Sequence, residues 1–497
     1  MSGFYRKETN MKLIKIVHKF SGFVMKYSFY GGLLPFILFL NTFFLSQPVF
    51  CQESWSPTST GSNVPSARWY QTAIWTGSNM IIWGGFNNGN LNTGGIYDPS
   101  TNSWTPTSMT NVPSGRRYHT AVWTGTQMII WGGEGTSPFL NTGGIYDTLT
   151  NSWTATSTTN APSPRIDHSA VWTGNTMIIW GGWTSNYGHE KTGGIYNPST
   201  DSWTSTDTTN APFGRYYHTA VWTGSKMIVW GGAYISGIMK YLNTGGVYDP
   251  STNSWTPTSM TNVPSARYYH TAIWTGSKMI IWGGNGNNGY DNTGGIYDPS
   301  TDTWSAISTY NAPSERELHT AVWTENDMVI WGGISSSGFL NTGGIYYPFT
   351  DTWTTTTTIN APSKRYYHTA VWTGSQMIVW GGSNGYNLLN TGGIYTNPIL
   401  TGITNNGTNI SFSSLSQNYP NPFNLSTRID YQLPINEYVK LSVFDINGRE
   451  IAVLVNDNME TGSHEVNWDA SNYPDGVYFY KLVAGTTVQV KNMILFK

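Results

Sequence analysis

Arg267-Tyr268-Tyr269-His270-Thr271-Ala272-Ile273-Trp274-Thr275-Gly276 is followed after two residues by Met279-Ile280-Ile281-Trp282-Gly283-Gly284. Beyond a variable loop comes Asn292-Thr293-Gly294-Gly295-Ile296-Tyr297, then a turn, then Trp304. The unit recurs seven times. Its arginine stands at Arg68, Arg116, Arg165, Arg215, Arg267, Arg316 and Arg365, at intervals of 48, 49, 50, 52, 49 and 49 residues. A fixed period of this length marks a repeat architecture in which each unit buries its apolar face against the next.

Each unit predicts four short strands, a to d. Strand a is Thr-Ala-Val/Ile-Trp and strand b is Met-Ile-Ile/Val-Trp. Strand b is apolar at every position, as expected for a sheet covered on both sides. The paired glycines after it allow a sharp turn or a close backbone approach. Strand c carries Gly-Gly-Ile-Tyr, and an Asp-Pro-Ser-Thr-Asn/Asp type of turn leads to the tryptophan of strand d. Over residues 52–397 the chain resembles the Kelch family, on the apolar run with its Gly-Gly (Ile81-Ile82-Trp83-Gly84-Gly85) and the spaced Tyr97 and Trp104, repeated in register. The resemblance implies an all-β, seven-bladed propeller of four-stranded blades. Strand d tryptophans stand at Trp55, Trp104, Trp153, Trp203, Trp255, Trp304 and Trp353, and none follows the last strand c at Tyr395. The N-terminal strand around Trp55 is therefore expected to complete the seventh blade and close the ring. Of 24 tryptophans, all but Trp69, Trp183 and Trp468 occupy the three repeated positions, which assigns the residue type to inter-blade packing.

Residues 1–51 read as an export leader. Lys12, Lys15, Lys19 and Lys26 precede an apolar run from Leu33 to Leu45, which is short for a membrane span. A start at Met25 leaves a compact leader, and cleavage is expected after Val49-Phe50-Cys51. The mature chain then has no transmembrane segment, no cysteine and no disulfide. The leader takes six of 25 Lys/Arg and one of 27 Asp/Glu, leaving 19 basic and 26 acidic residues and a net charge near −7. That balance argues against nucleic acid as a partner.

Residues 398–412 read as a linker, and residues 413–497 as a second module. Tyr419-Pro420-Asn421-Pro422-Phe423-Asn424 leads into alternating strands, the turn Asp445-Ile446-Asn447-Gly448, and Gly476-Val477-Tyr478-Phe479-Tyr480 near the end. This part is similar to the type A C-terminal sorting domain of the type IX secretion system, an immunoglobulin-like sandwich of the FlgD kind. The resemblance makes the type IX machinery a partner and the outer cell surface or extracellular space the destination. It rests on Tyr419, Pro420, Asn421, Pro422, Phe423, Gly448, Gly476 and Tyr478.

A ligand site needs features the seven units do not share. The repeated histidines (His119, His168, His218, His270, His319, His368, with Gln71 in the first unit) are expected to hydrogen-bond a neighbouring blade's backbone, not a metal. The arginines form a crown able to hold a carboxylate or sulfate, or else pair with loop carbonyls or an acid of the next blade. Arg165 and Arg215 are kept as ligand candidates on that ground. The b–c loops vary most, while the d–a loops read as near copies. Trp183, Tyr187 and His189 in blade three, Tyr234 and Tyr241 in blade four and Tyr290 in blade five could stack on sugar faces. Strand a departs from pattern at Ile166-Asp167 and Glu317-Leu318.

Catalytic signals are sparse. Copper radical oxidases of the Kelch type need a cysteine crosslinked to tyrosine, and no sialidase box, Gly-x-Ser-x-Gly elbow or phosphate loop occurs. No cofactor or metal is assigned. The expectation is a surface or released binding protein, with a glycan or a surface protein as ligand. The alternatives are a glycan-active hydrolase or lyase using Asp167, Glu190 or Asp291, and a structural envelope protein.

Overall fold

In a computed structural model, residues 53–136, 139–185, 188–397, 414–418, 420–433, 436–446, 448–484 and 487–497 are described. The leader, the proposed linker 398–412, Tyr187 and Tyr419 lie outside these residues. Seven four-stranded antiparallel sheets follow one another in the order a-b-c-d. In the fifth these are Thr271–Trp274, Met279–Trp282, Gly294–Asp298 and Thr303–Ala306. The seventh is Thr369–Trp372, Gln376–Trp380, Gly392–Thr396 and, from the other end of the repeat array, Ser54–Pro57.

Strand alternation distributes the core. Ile81 and Trp83 of the first strand b pack on Met128, Ile130, Tyr146 and Trp153 of blade two. Their neighbours Met80 and Ile82 face the other way, onto Val371, Ile378 and Trp380 of blade seven. Successive side chains of one strand thus serve two different blades, which is why all four positions are apolar and fully buried. Neighbouring a strands touch one another all the way round, from Thr72–Trp75 to Thr369–Trp372 and back, so strand a lines the axis.

The splice is as expected. Trp55 pairs with Tyr395, and its indole donates to Thr357 O at 3.0 Å, as Trp104 does to Ser59 O. The residue two before each strand d tryptophan has a shared duty that the sequence reading passed over. In other blades a left-handed Asn or Asp at the c–d turn accepts the strand c tyrosine hydroxyl and an N–H of the preceding d–a loop; Asn102 takes Tyr97 OH at 2.6 Å and Ser59 N at 2.6 Å. Blade seven has no such turn, and Glu53 replaces it, accepting Thr357 N at 2.8 Å and engaging the Tyr395 hydroxyl.

The C-terminal module has two sheets. Ser414–Leu415, Ser426–Leu433 and Gly462–Asp469 form one; Glu450–Met459, Glu437–Phe444, Gly476–Ala484 and Thr487–Leu495 form the other. Ile429, Tyr431, Val439, Leu441, Trp468, Tyr480 and Leu482 are among its core.

Candidate binding face of the propeller

The b–c and d–a loops meet on one face, where the segment before each strand a pairs with the loop after strand b: Trp69 with Phe86, Arg117 with Glu134, Ile166 with Trp183, Tyr216 with Ala233, Tyr268 with Asn285, Glu317 with Ile334 and Tyr366 with Ser383. The repeated arginines lie beneath this layer. Arg165 is 1 % exposed. It donates all five N–H groups inside its own blade: Nε to Ser163 O at 3.0 Å, Nη1 to Gly181 O at 2.9 Å and Thr192 O at 2.8 Å, and Nη2 to the Ser163 and Thr192 hydroxyls at 2.8 and 3.0 Å. Arg215 is fully buried and spends itself the same way on Phe213 O, Gly231 O, Thr244 O and the Thr244 hydroxyl. A buried guanidinium whose N–H groups are met within its own blade, five in Arg165 and four in Arg215, has no fork left for an anion, so the arginine crown is scaffold and both residues leave the candidate site. Burial lowers the Arg165 pKa to about 10.

Each arginine's own carbonyl accepts from the second glycine of the preceding blade, from Gly85 N to Arg116 O at 2.8 Å round to Gly382 N to Arg68 O at 2.8 Å. One residue thereby fastens two blades. The histidines reach the preceding blade, as expected: each meets a side-chain hydroxyl there, and His168, His218 and His368 also hydrogen-bond the backbone of Trp131, Trp180 and Trp331. Nε2 of His119 meets Thr72 Oγ1 at 3.0 Å, and His218 meets Ser169 Oγ at 2.9 Å. Gln71 donates to a carbonyl, Trp380 O, at 3.2 Å. Strand a begins with a hydroxyl residue in every blade, which supplies the partner. Burial and the adjacent Arg116 drop the His119 pKa to about 3, so the imidazole is neutral. Gly84 is needed here, because a Cβ on it would lie 2.6 Å from His119 Cε1 and its φ is +69°.

The residue before each histidine has positive φ in every blade: Tyr70, Tyr118, Asp167, Tyr217, Tyr269, Leu318 and Tyr367, at 52–58°. This strained region is uncommon for such residues. It turns their side chains together at the mouth of the axis. Ring centroids lie 4.3 Å apart for Tyr70–Tyr118 and Tyr70–Tyr367, and 4.1 Å for Tyr217–Tyr269; Tyr367 OH donates to Tyr269 OH at 3.2 Å. Further hydroxyl contacts join Tyr118 to Tyr70, Tyr70 to Tyr367, Tyr269 to Tyr217 and Tyr217 to Asp167. Five phenols and one carboxyl form a single chain across the mouth. Part of Asp167 remains accessible, yet the protein packed around its carboxyl pushes its pKa up to about 8.

Outside this plug the face is uneven. Over blades three to five the loops carry aromatic groups. His189, Phe213 and Tyr234 form a triangle of ring centroids at 4.8–5.5 Å. Trp183 meets Tyr216 edge-on at 5.0 Å, and Tyr241 stacks on Tyr268 at 5.2 Å with the planes 3° apart. The hairpin Ala233–Ser236 and Ile238–Tyr241 stands beside them with Ile235, Ile238 and Met239 exposed. Trp183, His189, Tyr234 and Tyr241 are thus gathered on one stretch of the face, while Tyr290 lies opposite Asn285 in blade five. Sequence reasoning missed Phe213, which is 54 % exposed. Its signal was its departure from the serine at this d–a position in the other blades (Ser66, Ser114, Ser163, Ser265, Ser314, Ser363). The acids named for hydrolysis are engaged separately: Asp291 by Arg267 at 3.2 Å, Glu190 by the Thr192 hydroxyl at 2.9 Å, and Asp167 in the plug. Among the described residues no group of three His, Cys, Asp or Glu side chains could hold a metal ion, and no helix is long and apolar enough to cross a membrane.

In the C-terminal module the marked residues pin the last strand. Phe423 is buried, donates its N–H to Ile494 O at 2.9 Å and accepts from Phe496 N at 2.9 Å. Asn421 Oδ1 accepts from Ile494 N at 2.9 Å, and Pro420 O accepts from the Thr427 hydroxyl at 2.8 Å; Pro422 follows a cis bond. Gly448 takes φ +77° in the turn that Asp445 ties to Arg449, and Gly476 opens the strand on which the Tyr478 hydroxyl donates to Pro474 O at 2.6 Å.

The KLHDC2/KLHL20/DRC7 Kelch-repeats domain matches residues 40–232 and 167–382, two overlapping stretches that cover most of the chain. The secretion system C-terminal sorting domain matches residues 417–496. No curated protein matches the chain significantly.

Proposed function

We propose that this chain, which belongs to the Kelch-repeat family and is exported by its C-terminal sorting domain to the cell surface or extracellular space, is a binding module whose propeller takes up a glycan. One observation carries the reading. The aromatic groups at Trp183, His189, Phe213, Tyr234 and Tyr241 gather where the seven-fold pattern breaks, and Phe213 keeps over half its surface open. Every repeated aromatic is spent on packing, whereas this group has no scaffold duty that the other blades need. Flat rings beside loop hydroxyls and amides suit the apolar faces and polar rims of sugars. Large solvent-facing apolar surface also has a cost that function offsets.

The test is a glycan array with the leaderless full chain, run beside an assay for new reducing ends. The expected result is a defined set of bound glycans without turnover, with affinity lost at least tenfold in Phe213→Ala and in Tyr234→Ala. Release of reducing ends would replace this reading with a hydrolase, and absence of any glycan binding would end it.

A further inference from the structure

Side chains that form the outer layer of each blade meet those of the next blade in a slot. Most of these slots are filled. Arg117 lies 4.7 Å above the Phe86 ring, Trp183 meets Tyr216, Tyr241 stacks on Tyr268, and Phe339 stacks on Tyr366 at 4.9 Å. The slot between blades five and six differs. Blade five presents Tyr268, Asn285 and Tyr290, which pair directly across adjacent strands and so point to the same side. Blade six sends in Glu317, at the position held by Tyr268 in its own blade.

Glu317 is 8 % exposed. The Asn285 side chain hydrogen-bonds its carboxyl, yet Oε2 is buried without a partner. Among the described residues it is the only carboxylate oxygen in that condition. Burying a carboxylate this way is costly unless a cation or donor meets it. Among the described residues no lysine or arginine pairs with it. The Tyr268 and Tyr290 hydroxyls are close enough to feel its charge, but both phenols stay protonated and neither donates to Oε2. Burial pushes the carboxyl up to about 7, because no cation of the described residues offsets the desolvation of its charge.

We propose that the slot between blades five and six, closed by Glu317, Asn285, Tyr268 and Tyr290, binds the ammonium group of an amino sugar in the glycan held by the aromatic loops. This rests on the glycan reading above and narrows it. A carboxylate flanked by two phenols recognises a primary ammonium through a charge-assisted hydrogen bond, with aromatic surface around it. The stacked Tyr241–Tyr268 pair links the slot to the platform over blades three and four, which favours a polymer running across both. An acidic polymer is disfavoured, because arginines such as Arg267 are consumed within the blades and the slot is itself acidic.

The experiment is isothermal titration of the leaderless full chain at pH 7, where the Glu317 carboxyl is substantially ionised, with three oligosaccharides of matched length: glucosamine, N-acetylglucosamine and glucose oligomers, and with a lysine-rich peptide. The expected result is at least tenfold tighter binding of the glucosamine oligomer than of its acetylated form. Glu317→Gln should abolish that preference while leaving the acetylated oligomer bound as before. Thermal unfolding of Glu317→Gln, expected to be no lower than the parent, shows that the variant is folded. Binding of all three sugars without an ammonium preference, or a preference that survives in Glu317→Gln, overturns this inference and leaves the glycan reading standing. Binding of none of the sugars overturns both. Glu317-dependent binding of the peptide alone overturns the sugar assignment in favour of a protein lysine.

Discussion

Arg165→Lys separates a scaffold arginine from a ligand arginine. The native guanidinium donates five N–H groups to five acceptors in its own blade. An ammonium has three donors and no planar fork, so at least two of those contacts are lost. Each hydrogen bond from a charged donor is worth about 1.5 kcal/mol net, and the stranded carbonyls are buried, so the loss is about 3 kcal/mol or more. Arg117→Lys is the control. Its pair with Glu134, at 3.0 Å, is about one-quarter exposed on both sides, and a solvent-accessible pair of this kind contributes about 1 kcal/mol. The assay is urea unfolding followed by tryptophan fluorescence, which is well suited to a propeller in which tryptophans pack between all the blades. Arg165→Lys should lower the midpoint clearly, Arg117→Lys hardly at all, and ligand binding by the folded fraction should be unchanged in both. A midpoint within about 1 kcal/mol of the parent for Arg165→Lys, together with lost binding, would refute the reasoning and restore the crown as an anion site.

Two other outcomes are expected. Asp167 has a folded pKa near 8 against an ordinary value of 3.8. The native state therefore keeps a proton that the unfolded chain has released, and stability falls as pH rises from about 4 to about 8 and is level above. Asp167→Asn, whose side chain tolerates the left-handed backbone, should flatten that part of the stability profile and gain a few kcal/mol at pH 9, partial solvent access keeping the gain below the full linkage value. Superimposable pH profiles for the two proteins would show that the carboxyl is not held protonated. Deleting residues 413–497 should leave the propeller in the periplasm, checked by fractionation and surface proteolysis, and normal delivery of that truncation would contradict the sorting role.

The architecture was legible because its determinants are periodic. The spacing of strand d tryptophans placed Trp55 in the last blade, and the all-apolar strand b announced a sheet covered on both faces. Glu53 stands two residues before Trp55, in the register of Asn102 before Trp104, so its place was legible and its role was overlooked only because the residue type differs. It replaces an Asn or Asp that precedes a tryptophan by two residues, and it does so from the far end of the repeat array with a longer side chain. The histidines were assigned to the correct neighbour and, for His168, His218 and His368, to its backbone; the hydroxyl that each ring also meets was not foreseen, since nothing in a sequence says which atoms one strand away a ring nitrogen will share. Arg165 and Arg215 looked available because side-chain length was visible and burial was not. Phe213 was passed over because its loop resembled six others. The departures Asp167 and Glu317 did stand out, but their roles depend on two different positions: Asp167 belongs to the axial plug, and Glu317 to the slot at the rim.

These two positions, adjacent within each repeat but one on the axis and one on the rim, divide the face into a closed centre and a variable edge. At the axis seven non-glycine residues hold a backbone conformation that costs of the order of 1 kcal/mol or more each. Six of them are polar, and they satisfy one another through the run Tyr118–Tyr70–Tyr367–Tyr269–Tyr217–Asp167. A mouth closed by groups already bonded to each other offers a ligand little, since every contact made there must first break one of equal quality. One residue earlier in each blade, the conformation is ordinary strand and the residue type is free: Trp69, Arg117, Ile166, Tyr216, Tyr268, Glu317 and Tyr366. Here the seven units differ, and here Glu317 leaves an oxygen unmet. The fold thus spends its regular positions on closing the ring and leaves the rim free to vary, so a test of the proposed binding role belongs on Phe213, Tyr234 and Glu317 and not on the conspicuous ring of arginines and histidines.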